Sequence, residues 1–175
     1  MTVIMLAASI APDYDFANGA ISDLGAIPET ALLFNVSLGA VGVLNVVAGW
    51  LLFGGERRMP ALGVFVLAGA GALGAAAFPL DRGGLHSIFA LVAFVAFNLE
   101  PVVIGLVRRG SLRAISVAVG AIGLTFVALM IVGDGGNPAV FGPINHGGAE
   151  RMIVYPVLLW LLAYGGFLAA GHEPD

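Results

Sequence analysis

Apolar residues run through this chain in long blocks separated by short polar stretches, and the block lengths decide the architecture. Five runs, residues 30–53, 61–78, 85–107, 114–132 and 152–170, each come close to the roughly 20 helical residues that cross about 30 Å of hydrocarbon. Ahead of them, residues 2–11 form an apolar run of about half that length, ended by Pro12. It lacks a positive n-region and is expected to be a shortened first transmembrane helix, not a secretory leader. The pattern predicts one all-α domain over residues 1–175, an integral membrane bundle of about six spans.

Composition agrees with the pattern. A chain of 175 residues that is 59% hydrophobic and 10% charged, with a mean hydropathy of +1.01, is too small to hide its apolar surface in a soluble core. The absence of cysteine closes disulfide, thiolate-nucleophile and zinc-thiolate chemistry. A net charge of −4 without a single lysine argues against nucleic acid and against a polybasic lipid anchor.

Charge sorts onto two sides. Arg57, Arg58, Arg108, Arg109 and Arg113 fall in the loops 54–60 and 108–113, which the excess of arginine in cytoplasmic loops assigns to the inside of a cell membrane. Segments 13–29, 79–84 and 133–149 are then outside, with both termini inside if the first run spans. Those outer segments and their edges hold Asp13, Asp15, Ser22, Asp23, Asp81, Arg82, His86, Asp134, His146, Glu150 and Arg151.

Small residues at helical spacing (Gly39 and Gly42; Gly69, Gly71 and Gly74; Gly120 and Gly123) predict close helix packing, which membranes favour because lipid gives no hydrophobic drive for association. GAGALG matches a dinucleotide-binding pattern only formally, since it lies inside a span with no strand before it. Asn35-Val36-Ser37 is likewise an acceptor sequence for glycosylation set within an apolar run.

Three segments, ISDLGA (21–26), FPLDRGGLH (78–86) and GAERMIVYPVLLW (148–160), each abut a hydrophobic span. In that order they resemble the family of small polytopic prokaryotic membrane proteins catalogued as domain of unknown function nine-nine-eight. The resemblance covers nearly the whole chain and implies a helical bundle of about six spans, with no established activity.

All three segments begin on the outer side and could share one pocket at the bundle mouth. Three chemistries suit their residues. His86 and His146 with Asp81 or Asp23 could hold a divalent metal such as zinc, whose water would attack a lipid headgroup. Ser22 could act as a nucleophile served by a histidine and an aspartate. Arg82 and Arg151, with Glu150 nearby, could clamp an anionic or lipid-like ligand through guanidinium forks. Against these stand plainer roles: Glu150 favoured by a helix N-terminus, Asp23, Asp81, Arg82 and Arg151 as loop-tying ion pairs, Ser22 bonding its own turn, and structural histidines.

Deeper in the chain, Glu100 interrupts the fourth run and is followed by Pro101. Asn45 and Glu100 each lie about 15 residues from the outer ends, roughly 22 Å of helix rise, so the two could pair, with Asn98 the alternative partner for Glu100. Such a pair serves either as interhelical glue or as part of a proton or ion path. Finally, residues 133–148 contain six glycines and two prolines and are expected to be non-helical, either a lid over the mouth or a segment dipping partly into it.

Overall fold

The computed structural model describes residues 1–54, 59–107 and 110–171. Among them the chain is all helix: α1 (Thr2–Ile10), α2 (Pro28–Phe53), α3 (Met59–Ala77), α4 (Leu85–Val107), α5 (Gly110–Asp134) and α6 (Asn145–Ala169), with 3-10 turns at Ser22–Gly25, Leu80–Arg82 and Pro138–Ile144. Arg57, Arg58, Arg108 and Arg109, which carry most of the orientation signal, lie outside the described residues.

Helices α2 to α5 and the segment Pro138–Ala169 containing α6 are long and apolar enough to cross a membrane. The shortest of them, α3, has 19 residues, about 28 Å of rise. Their outer faces carry leucines such as Leu32, Leu51 and Leu162, each more than three-quarters exposed, which is what a lipid-facing surface requires. At nine residues, α1 rises only about 13 Å.

Local chemistry sets the helix ends. Pro28 occupies the first turn of α2, where its missing N–H costs nothing, and Glu29 beside it faces the positive end of the helix dipole. Pro79 disfavours helical geometry at Phe78, so α3 stops at Ala77. The larger departure from expectation is α6, which opens at Asn145, seven residues before the hydropathy run. Its first two turns are polar, yet Glu150 and Arg151 are 3% and 8% exposed. Their burial against the 14–22 loop holds the polar turns in helical form.

The helices pack in chain order, α2 on α3, α3 on α4, α4 on α5 and α5 on α6, while α6 also meets α4 and α1 lies on α2. Gly42 and Gly69 bring α2 and α3 into backbone contact: a Cβ on Gly42 would stand 2.7 Å from the Gly69 carbonyl oxygen. Aromatic residues Phe53, Phe65, Trp160 and Tyr164 fill the end of the bundle opposite the Ser22–Gly25 and Leu80–Arg82 turns. Val127, Met130, Phe141 and Ile153 form a second cluster between α5, α6 and the Pro138–Ile144 turn.

Candidate functional site

The three motif segments meet at one end of the bundle. The Ser22–Gly25 turn touches the Leu80–Arg82 turn, and the Glu150 carboxylate accepts the Ile21 amide hydrogen. Asp23 turns back on its own loop, accepting the Ala20 amide at 2.8 Å. Asp81 and Arg82 stand exposed on their turn.

Arg151 organises the loop. Its Nη1 donates to the carbonyl oxygens of Gly147 (2.7 Å) and Gly19 (3.0 Å), and its Nη2 donates to the Tyr14 hydroxyl at 2.7 Å. Its guanidinium carbon sits 4.3 Å from the Phe16 ring centroid, a cation–π distance. The Tyr14 hydroxyl in turn donates toward Ala20 O at 2.7 Å and Gly19 O at 3.1 Å. Burial pushes the Tyr14 phenol above its ordinary value of 10.0, with Arg151 pulling the other way. Next to it, Asp15 is held below the usual carboxylate range by the Asn18 side chain and then by the Ala17 and Asn18 amides. The loop is thus a strap drawn over the start of α6.

Beneath this strap lies a cavity of about 200 Å³ walled by α1, α2, α3, α4 and α6. Most of its lining is apolar: Ile4, Phe34, Leu38, Ala93, Phe94, Ile153 and Val157 are examples. The polar exceptions are Ser22, Ser37, His86, Asn98 and Glu150. His86 is 4% exposed, and its Nδ1 faces the carbonyl oxygens of Phe78 (2.9 Å) and Ala75 (3.3 Å) at the end of α3. Two acceptors at Nδ1 place the proton there. Nε2 is left buried and without a partner, and in this tautomer it is an acceptor.

Ser22, His86 and Glu150 therefore do share one cavity, and Arg82, Asp81, Asp23 and His146 do not line it. His146, one turn before Glu150 on α6, is directed to the end of α5, 3.2 Å from Asp134 Oδ1 and edge-on to Phe141. Among the described residues no three histidine, aspartate or glutamate side chains converge as metal ligands, so the expected set of His86, His146 and Asp81 is not assembled. The reason is rotational: His86 on α4 faces α3, whereas His146 on α6 faces α5. Ser22 is not served by a histidine either, since His86 Nε2 has no hydrogen-bond partner. The expected Arg82–Arg151 clamp is likewise not formed, because Arg151 is engaged by carbonyls and rings and Arg82 faces outward.

The glycine-rich segment is also placed otherwise than expected. Residues 145–148 belong to α6, and Pro138–Ile144 forms a 3-10 turn whose Phe141 plugs the α5–α6 interface. No residue of 133–148 lines the cavity. The covering role falls to α1 and the strap, which hydropathy alone did not single out. Tyr14 and Phe16, flanking Asp15 in an otherwise polar segment, were the available signal.

Further from the mouth, Asn45 Nδ2 donates to Glu100 Oε1 at 2.6 Å and to Phe65 O at 3.1 Å, the pairing expected from depth. Asn98 Nδ2 reaches the carbonyls of Phe94 (2.8 Å) and Ile153 (3.2 Å). Its Oδ1 side rests against Gly123 of α5, where any side chain would collide with it. The cavity wall reaches Asn98 but not Glu100.

Fold and site together define a multi-pass membrane protein, a helical bundle with an apolar cavity under a polar strap. The chain belongs to the family described as protein of unknown function (DUF998), whose model matches residues 1–166. No curated protein and no solved structure matches it.

Proposed function

We propose that this protein binds a lipid-like ligand, inserting an apolar portion of it into the cavity beneath the strap. The observation that carries this reading is the cavity itself: an apolar space of about 200 Å³ with a few polar groups in its wall, the usual make-up of a small-molecule site. An engineered apolar cavity of about 150 Å³ takes up benzene, so this one has room for a ring or a short run of acyl or isoprenoid chain. In the same reading α1 counts as a sixth, short span, both termini face the cytoplasm, and the strap and cavity mouth lie on the outer face of the cell membrane.

The test is to purify the full chain in lipid nanodiscs and to identify bound amphiphiles by native mass spectrometry. One chain-bearing species per protein is expected in the wild type. It should be lost in Ser37→Phe and in Ala90→Phe, two wall substitutions on different helices, while helicity and melting behaviour persist. A wild type that neither carries nor takes up any amphiphile would refute the proposal.

A further inference from the structure

The polar end of the cavity is built to receive hydrogens. At His86, the ring is oriented by two α3 carbonyls at Nδ1, and the opposite nitrogen is a bare acceptor, buried and unpartnered. A buried acceptor left empty costs free energy, and a histidine whose other ring nitrogen is fixed by backbone has little freedom to turn away. Glu150 brings carboxyl oxygens already oriented by the Ile21 amide. Asn98, deeper in the wall, has both amide hydrogens committed to backbone carbonyls.

Donors are scarce by comparison. The lining contains no arginine, and the chain has no lysine. The nearby guanidinium of Arg151 is turned toward Gly19, Gly147 and Tyr14. Among the lining side chains, free hydrogens come from the hydroxyls of Ser22 and Ser37. An anionic head would find no free guanidinium among the lining side chains.

From this we infer that the ligand's polar group is a hydrogen-bond donor, the hydroxyl or amine of a chain-bearing alcohol or amine, and that His86 Nε2 accepts it. The inference rests on the cavity being a ligand site and adds the chemical class.

A chain-matched series decides it. Decanol, decylamine, decanoate and plain decane are titrated into the full chain in nanodiscs, with empty nanodiscs as the reference. Decanol and decylamine should bind about tenfold or more tighter than decanoate, and tighter than decane. In His86→Leu, decanol should fall to the affinity of decane. His86→Gln, which keeps an acceptor, should preserve part of the preference. Binding of decanoate as tight as that of decanol overturns the inference, as does a decanol preference that survives in a folded His86→Leu protein. If all four bind alike, the donor assignment fails while the cavity remains a ligand site. If none binds, the underlying function fails with it.

Discussion

Glu150 on α6 accepts the backbone amide hydrogen of Ile21, 129 positions earlier in the chain. Both residues are buried, so the bond fixes where the strap enters the bundle. Removing the carboxylate leaves a buried N–H unpaired, which costs about 1–3 kcal/mol. Glu150→Ala is expected to lose stability in that range and to speed amide hydrogen exchange at Ile21. Glu150→Gln keeps an acceptor oxygen and should retain most of the protection. Equal losses in the two variants would show that the hydrogen bond is not what holds the strap.

A second prediction concerns alkaline pH. Burial raises the Tyr14 phenol above its ordinary 10.0, so the folded chain keeps this proton when the unfolded chain has given it up. The contribution to stability is therefore complete below about 10 and is lost as pH rises through the folded value. Melting temperatures scanned into that range should show a step in the wild type that is missing from Tyr14→Phe. The same scan in Arg151→Met tests the opposing influence of the guanidinium: Tyr14 should then titrate higher still.

Glu100 is fully buried and bonded to Asn45. Glu100→Gln preserves an oxygen for that amide and is expected to fold with near wild-type stability. Glu100→Ala leaves Asn45 short of a partner and should cost about 1–3 kcal/mol. Urea or thermal unfolding in detergent micelles compares the two. A glutamine variant as unstable as the alanine variant would mean that Glu100 serves as more than an acceptor for Asn45.

The absence of native cysteine makes orientation directly measurable. Single cysteines at Asp81 and Asn137, both exposed, are expected to react with a membrane-impermeant maleimide on intact cells. One at Ser111, at the other end of the bundle, should react only after permeabilisation. The reverse pattern would invert the topology.

The span-forming helices were legible in the sequence because hydropathy reports the one property a lipid-facing helix must have. The start of α6 was not, since Glu150 and Arg151 become helical through partners more than a hundred residues away, which no local window contains. The convergence of Ser22, His86 and Glu150 followed from their shared side, and the depth match of Asn45 with Glu100 followed from counting helix rise. The partners of Arg151 were hidden for a different reason: backbone carbonyls and the faces of Tyr14 and Phe16 accept a guanidinium without leaving any charged motif. His146 sits at the same end of the bundle as the cavity, but its turn toward Asp134 and Phe141 leaves no mark in the local sequence. The same holds for the glycine-rich segment, where Phe141 decides the packing and the glycines do not.

The internal side-chain hydrogen bonds join helices in a chain: Asn45 links α2 to α3 and α4, Asn98 links α4 to α6, and Trp160 on α6 donates to Ser116 on α5 at 2.8 Å. Helices that are apolar all round can spin about their own axes in lipid at little cost, since every azimuth presents similar hydrocarbon. Advancing any of these by one residue turns it about 100° and would carry its polar group out of reach. Five helices are thereby keyed to a single angular setting, and the cavity wall inherits its shape from that setting.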